Sequence, residues 1–151
     1  MWRRMRRNVV LISCLLAYGT MLAQDLSGTW KTIDDRTGKA KALVRIYVEG
    51  DRLYGTITDI LVDNMEDARC TACAGRLKDQ DIKGMHIING LKKVGDRRWQ
   101  GDGDSLFDPE QGKSFRSRIW LDPDEPDVLK VRGYWMFFYR TQYWKRVIEE
   151  K

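Results

Sequence analysis

Cys70-Thr71-Ala72-Cys73 sets two thiols three positions apart, near enough in the chain to close a disulfide. The same spacing serves redox couples and metal sites, and each of these needs a particular setting. A redox pair draws its reactive thiolate from a helix N-terminus in a thioredoxin-like unit of alternating strands and helices. A metal needs further ligands, and only His86 and carboxylates such as Asp79 and Asp81 lie near in sequence, without a second CxxC. In an oxidising compartment the expected state is a structural disulfide between Cys70 and Cys73, with the metal and redox readings left open. Its loop is so short that it would fix local shape more than global stability.

Other reactive patterns are weaker. His86 is the single histidine and alternates with apolar neighbours in Met85-His86-Ile87-Ile88, which suits an exposed or rim position on a strand. With no GxSxG and no second histidine, a Ser-His-Asp hydrolase has little to draw on. Asp102, Asp104, Asp108 and Glu110 crowd together without the DxDxDG spacing of a calcium loop. Asp108-Pro109 with Gly112 reads instead as a tight turn whose aspartate caps its own backbone. Turn aspartates also lack the apolar wall that a glycosidase acid requires. No catalytic residue, metal or cofactor is therefore expected, and the residues name neither a ligand nor a reaction.

Tyr134, Trp135, Phe137, Phe138, Tyr139, Tyr143 and Trp144 put seven aromatics into eleven residues. Both faces of that strand pair are then aromatic. Core packing, a ligand lining and an interface are the three uses open to them. Tyr54, Phe115, Tyr134, Trp135 and Arg132 are the candidate ligand contacts.

The elements that must position these residues are strands. β-branched and aromatic residues recur in short runs between turn residues, and no stretch holds a helical period. The expected strands are Gly28 to Ile33, Ala40 to Val48, Leu53 to Val62, Met85 to Leu91, Arg98 to Gly101, Ser114 to Leu121, Val128 to Tyr134 and Phe138 to Val147. Alternation gives each a buried face: Ala42, Val44, Ile46 and Val48; Leu53, Gly55 and Ile57; Phe115, Ile119 and Leu121; Leu129, Val131 and Gly133. Short connections make neighbours antiparallel. About eight half-buried strands without helices to cover them cover their own apolar face by closing, so the fold expected is all-β, a small up-and-down antiparallel barrel. The polar segment from Asp63 to Gly84, which carries the CxxC, fits neither period and is expected to be a long loop or short helix.

The chain has 151 residues, 27 basic and 22 acidic. Its first 23 residues read as an export signal: a cationic start with Arg3, Arg4, Arg6 and Arg7, an apolar run from Val9, and Ala23 before Gln24. Residues 24–151 then form a single domain. Removal of the leader takes away four basic and no acidic residues, so the remainder is nearly neutral and a nucleic-acid partner loses its electrostatic motive. The apolar run is too short and too interrupted to span a bilayer. Leu11-Ile12-Ser13-Cys14 offers a minor alternative, a lipoprotein anchored through Cys14. The expected location is periplasmic or secreted.

Gly28-Thr29-Trp30 opens the first strand and Trp144-Lys145-Arg146 closes the last, a pairing that resembles the lipocalin-like, or calycin, signature. The resemblance implies that Gly28 and Trp30 start the barrel and that Arg146 lies across the indole to close one end. A fuller set of stretches is similar to an uncharacterised family of exported bacterial proteins with a lipocalin-like barrel: GTWKTIDDRTGKAKALVRIY from Gly28, LYGTI from Leu53, CTAC from Cys70, GMHIINGLKK from Gly84, WQGDG from Trp99, FDPEQGKSF from Phe107, VRGYW from Val131 and TQYWKRV from Thr141. What it implies is fold and compartment, not chemistry. The expected function is binding of an apolar or amphipathic small molecule inside an exported barrel. The alternative is a barrel without a cavity that acts as an envelope interaction module, with a thiol- or metal-dependent enzyme a more distant third.

Overall fold

The structure, a computed structural model, describes residues 25–148. The expected leader, its cleavage point at Ala23 and the alternative anchor at Cys14 lie outside them. Eight strands follow in order: β1 Gly28–Ile33, β2 Ala40–Glu49, β3 Arg52–Ile60, β4 His86–Gly95, β5 Arg98–Asp108, β6 Lys113–Asp122, β7 Glu125–Trp135 and β8 Phe138–Arg146. A single 3-10 turn, Gly75–Leu77, interrupts the β3–β4 loop. Each strand pairs antiparallel with the next, and β8 returns to β1 through Trp30↔Arg146 and Lys31↔Lys145, so the sheet is a closed up-and-down barrel.

Alternation explains the closure. Trp30, Val44, Ile46, Leu53, Ile119, Leu129 and Val131 are buried, while their neighbours in sequence face outward. Val48, expected on the buried face, lies at the end of β2 beside the Gly50 turn and is partly exposed, because the barrel wall ends there. β5 runs seven residues beyond its expected end at Gly101. Gly101, Asp102, Gly103 and Asp104 look like a turn in sequence, but they form an irregularity in the β5–β6 ladder between Gly101 and Leu106. Ser105 is carried into the core by this bulge, where its Oγ lies 2.8 Å from that of the equally buried Ser117 and donates to the Phe115 carbonyl at 3.2 Å. Each hydroxyl thereby satisfies a group that would otherwise be costly to bury.

The two ends of the barrel differ. One carries the hairpins at Gly50-Asp51, Asp96-Arg97 and Pro123-Asp124, and the other carries residues 34–39, the β3–β4 loop, the turn 109–112 and the turn Met136-Phe137. At the first end Leu26, Trp30, Leu53, Leu91, Trp99, Ile119, Leu121 and Leu129 fill the bore. The Trp30 Nε1–H donates to the Leu26 carbonyl at 2.8 Å, and the Arg146 guanidinium lies 4.2 Å from the centre of the indole. Arg146 also donates to the Ser27, Asp25 and Pro126 carbonyls. Its Nε has no hydrogen-bond partner among the described residues, although the Asp127 carboxylate stands 3.4 Å away, so that ion pair is poorly aligned. Gly28 has φ +134°, and a Cβ there would stand 3.4 Å from an Arg146 nitrogen, so glycine leaves room for the closing cation.

Candidate functional site

The bore is not filled throughout. At the second end a cavity of about 680 Å³ opens between the loops, within the usual range for small-molecule sites. Val44, Ile57, Ile87, Phe115, Val131 and Trp144 form its apolar wall and floor. Gly133 also lines it, and the missing side chain leaves only Leu106 and Phe115 nearby. Strand alternation supplies this wall: Val44, Ile57 and Val131 continue the inward rows that Ile46, Leu53 and Leu129 occupy.

The rim is polar and charged. Lys41, on β2, pairs with Glu110 on the β5–β6 turn, which is not a sheet neighbour of β2, so the pair spans the mouth. Arg140 of β8 holds Asp35 of the β1–β2 loop with contacts of 2.8 and 2.5 Å. Asp34 accepts the backbone N–H groups of Arg36 at 2.8 Å and Thr37 at 3.0 Å, which shapes that loop. Those hydrogen bonds hold its carboxyl below the ordinary value, with the Arg36 N–H the largest cause.

The remaining wall of the mouth comes from the CxxC loop. Cys70 and Cys73 are disulfide-bonded, with Cα atoms 5.3 Å apart. The loop packs on the turn after β5: the Cys70 Sγ lies 3.1 Å from the Pro109 carbonyl oxygen. A Cβ at Gly112, where φ is +62°, would stand 2.2 Å from the Ala72 carbonyl oxygen, so only glycine permits this approach. Asp108 organises the turn by accepting the Glu110 N–H at 2.9 Å and the Gln111 amide at 2.8 Å. The disulfide and the Asp108-Pro109-Gly112 turn, distant in sequence, are thus one structural unit beside the cavity.

The candidate contacts separate into two groups. Phe115 and Trp135 line the cavity. Tyr54, Arg132 and Tyr134 stand on the outer face: Tyr54 stacks on Tyr47 with ring centres 5.8 Å apart, Arg132 lies over Trp120 and Tyr139, and Tyr134 lies under Arg116. The alternation that turns Leu53, Val131 and Gly133 inward turns these three outward. His86 is exposed on β4, its Nδ1 3.1 Å from the Thr56 hydroxyl. Among the described residues no three His, Cys, Asp or Glu side chains converge as a metal-binding group. Lys41, Glu110, Asp35 and Arg140 were not legible as rim residues, because their pairs join segments far apart in the chain. Ile57 and Val131, by contrast, carried the signal of the apolar alternation.

Comparison with known proteins agrees with this architecture. Protein HP1028 of Helicobacter pylori, described as belonging to the lipocalin family, superposes with a TM-score of 0.68 over 83% of this chain and 84% of its own, at 20% sequence identity. At that identity the likeness shows the fold, a lipocalin-like barrel. No curated protein matches the sequence. No helix among the described residues is long and apolar enough to cross a membrane. Residues 28–146, from the first barrel strand to the closing arginine, match one family model, and the chain belongs to that family, described as "Uncharacterized protein conserved in bacteria (DUF2147)".

Proposed function

We propose that this protein is an exported binding barrel that takes a small apolar or amphipathic molecule into its open end. The observation that carries this reading is the cavity, about 680 Å³ with an apolar wall and a charged rim. An apolar tail against Ile57, Ile87, Phe115 and Val131 would leave water, and a polar end would meet Lys41, Arg140 and their carboxylate partners. The barrel's other half is packed, so the ligand has one way in and the closed end supplies stability. Export through the leader before Gln24, to the periplasm or beyond, is part of the proposal, and the Cys70–Cys73 disulfide is in keeping with an oxidising compartment.

Native mass spectrometry tests it on protein produced as the full chain in a bacterium and purified without denaturation. A discrete excess mass, or saturable binding of an apolar fluorescent naphthylamine probe, is the expected result. Val131→Phe, which places a ring in the cavity, weakens probe binding roughly tenfold or more while leaving the fold intact. A bare protein mass together with no probe binding overturns the reading. The start of the purified chain, read from its denatured mass, tests export in the same sample.

A further inference from the structure

The aromatic run resolves into two kinds of surface. Trp144 is buried, whereas Trp135, Met136, Phe137, Phe138 and Tyr139 project from the β7–β8 hairpin at the mouth of the barrel. Phe137 is 95% exposed and Phe138 is 70% exposed. The hairpin has a two-residue turn, Met136-Phe137, and Met136 adopts φ +51°. Turns of this kind favour glycine or asparagine at a positive φ. Two large apolar residues stand there instead, Met136 at a cost in backbone strain, and both are left exposed among the described residues.

Behind this tip the outer face of β6 and β7 is cationic. Arg118 and Arg132 are directly opposed across the two strands, and Arg116 lies on the same face two residues from Arg118. Like charges in that relation are unfavourable. Among the described residues none of the three has a carboxylate within ion-pair distance, and the nearby Asp122 and Glu125 are both held by Lys130. They are held by neutral partners instead: Arg116 on the Tyr134 ring, Arg132 between Trp120 and Tyr139 with its Nε donating to the Thr141 hydroxyl at 2.7 Å, and Arg118 donating to the Gln100 amide oxygen at 3.1 Å. These neutral contacts, made among the described residues, leave the three positive charges without a counter-charge directly behind an apolar tip, and an anionic partner that also offers an apolar interior would supply it.

We propose that the Met136-Phe137 tip and the Arg116, Arg118 and Arg132 face dock the barrel, mouth first, on an anionic lipid bilayer. The spacing fits. Arg116 pairs with Tyr134, two residues above Met136, which is roughly 7 Å along a strand. A tip sunk about 5–10 Å into the interface therefore brings Arg116 to the phosphates. Arg118 and Arg132 stand about 7 Å higher, within the reach of the surface potential. The mouth then faces the bilayer, but docking stands whether or not the cavity binds a ligand, since neither Met136, Phe137 nor these arginines lines it.

Co-sedimentation with large unilamellar vesicles is the test, using protein expressed as the full chain and purified as the host processes it. Vesicles with about one third phosphatidylglycerol should bind it far more strongly than pure phosphatidylcholine, and about 0.5 M salt should abolish most of that difference. Met136→Ser combined with Phe137→Ser is expected to lower the partition roughly a hundredfold. Arg116→Gln, Arg118→Gln and Arg132→Gln together should cost a similar factor at about 0.1 M salt and much less at high salt. The tip residues, Arg116 and Arg118 are exposed and Arg132 is half-buried on the outer face, and urea midpoints close to the parent's show that the variants are folded. Failure of the parent to bind anionic vesicles, or equal binding by the tip variant, overturns the proposal. So does concentration-dependent self-association that the same substitutions abolish without vesicle binding, which would make the face a protein interface.

Discussion

Trp30 is the residue on which closure of the barrel depends, and the structure gives the size of the effect. Its side chain is wholly buried. Trp30→Ala removes that bulk and leaves a void, which costs about 3–5 kcal/mol. It also orphans the Leu26 carbonyl, whose hydrogen bond contributes about 1 kcal/mol, and takes the ring from beneath Arg146. The sum, about 5 kcal/mol, is a large part of the 5–15 kcal/mol typical of a domain. Urea unfolding followed by fluorescence should show the midpoint falling by about 2 M for a chain of this size. The sharper test is a double-mutant cycle with Arg146→Met. A cation held 4.2 Å over a desolvated indole should couple to it by about 1–2 kcal/mol. Where the alanine variant does not fold, Trp30→Phe takes its place and should retain part of that coupling. Costs that add to within about 0.3 kcal/mol would mean the two residues stabilise the end independently, and the closure argument would be wrong.

Gly112→Ala should cost about 2–4 kcal/mol, because it combines left-handed backbone strain with a collision against the Ala72 carbonyl. Gly50→Ala shares the positive φ but has open space around it, so it should cost only about 1–2 kcal/mol; equal costs in denaturant melts would remove the contact between the CxxC loop and the β5–β6 turn. Asp34 titrates below its unfolded value of 3.8, so its hold on the β1–β2 loop is fully present above that value and is lost as pH falls through the lower folded value. The amide resonances of Arg36 and Thr37 should shift together with a midpoint below 3.8, and a midpoint at or above it would contradict the hydrogen bonds to that carboxylate.

The strands were legible where alternation is clean, as in Val44-Arg45-Ile46 or Leu129-Lys130-Val131, because a half-buried strand must repeat every two residues. β5 was cut short for the opposite reason. Gly101 to Ser105 are glycines, aspartates and a serine that bulge from the ladder, and the strand resumes through Leu106↔Phe115, Phe107↔Ser114 and Asp108↔Lys113, with Ser105 held in the core by Ser117. Such a pairing has no period and leaves no trace in a local window. The closing residues were readable because Gly28, Trp30 and Arg146 form a recognisable pattern, whereas the cavity depends on volumes summed over eight strands. Tyr54, Tyr134 and Arg132 drew notice for side-chain type, although the alternation beside them already turned them outward. Phe137 stands out in sequence for crowding, but its exposure follows from a two-residue turn that sequence rules assign to smaller residues.

The seam between β1 and β8 also sets the order of assembly. Every other strand pair joins neighbours in sequence, yet Trp30 meets Arg146 across almost the whole domain. A growing or emerging chain can build the meander from β2 to β7 progressively, but it cannot close the ring until residues 144–146 are free. Until then β1 and β7 present unpaired edges, the surfaces through which sheets aggregate. Folding should therefore be slow for the domain's size, with the long-range seam formed late. A chain that stops before Tyr143 should remain an open sheet and a substrate for holding chaperones rather than a barrel with a missing strand.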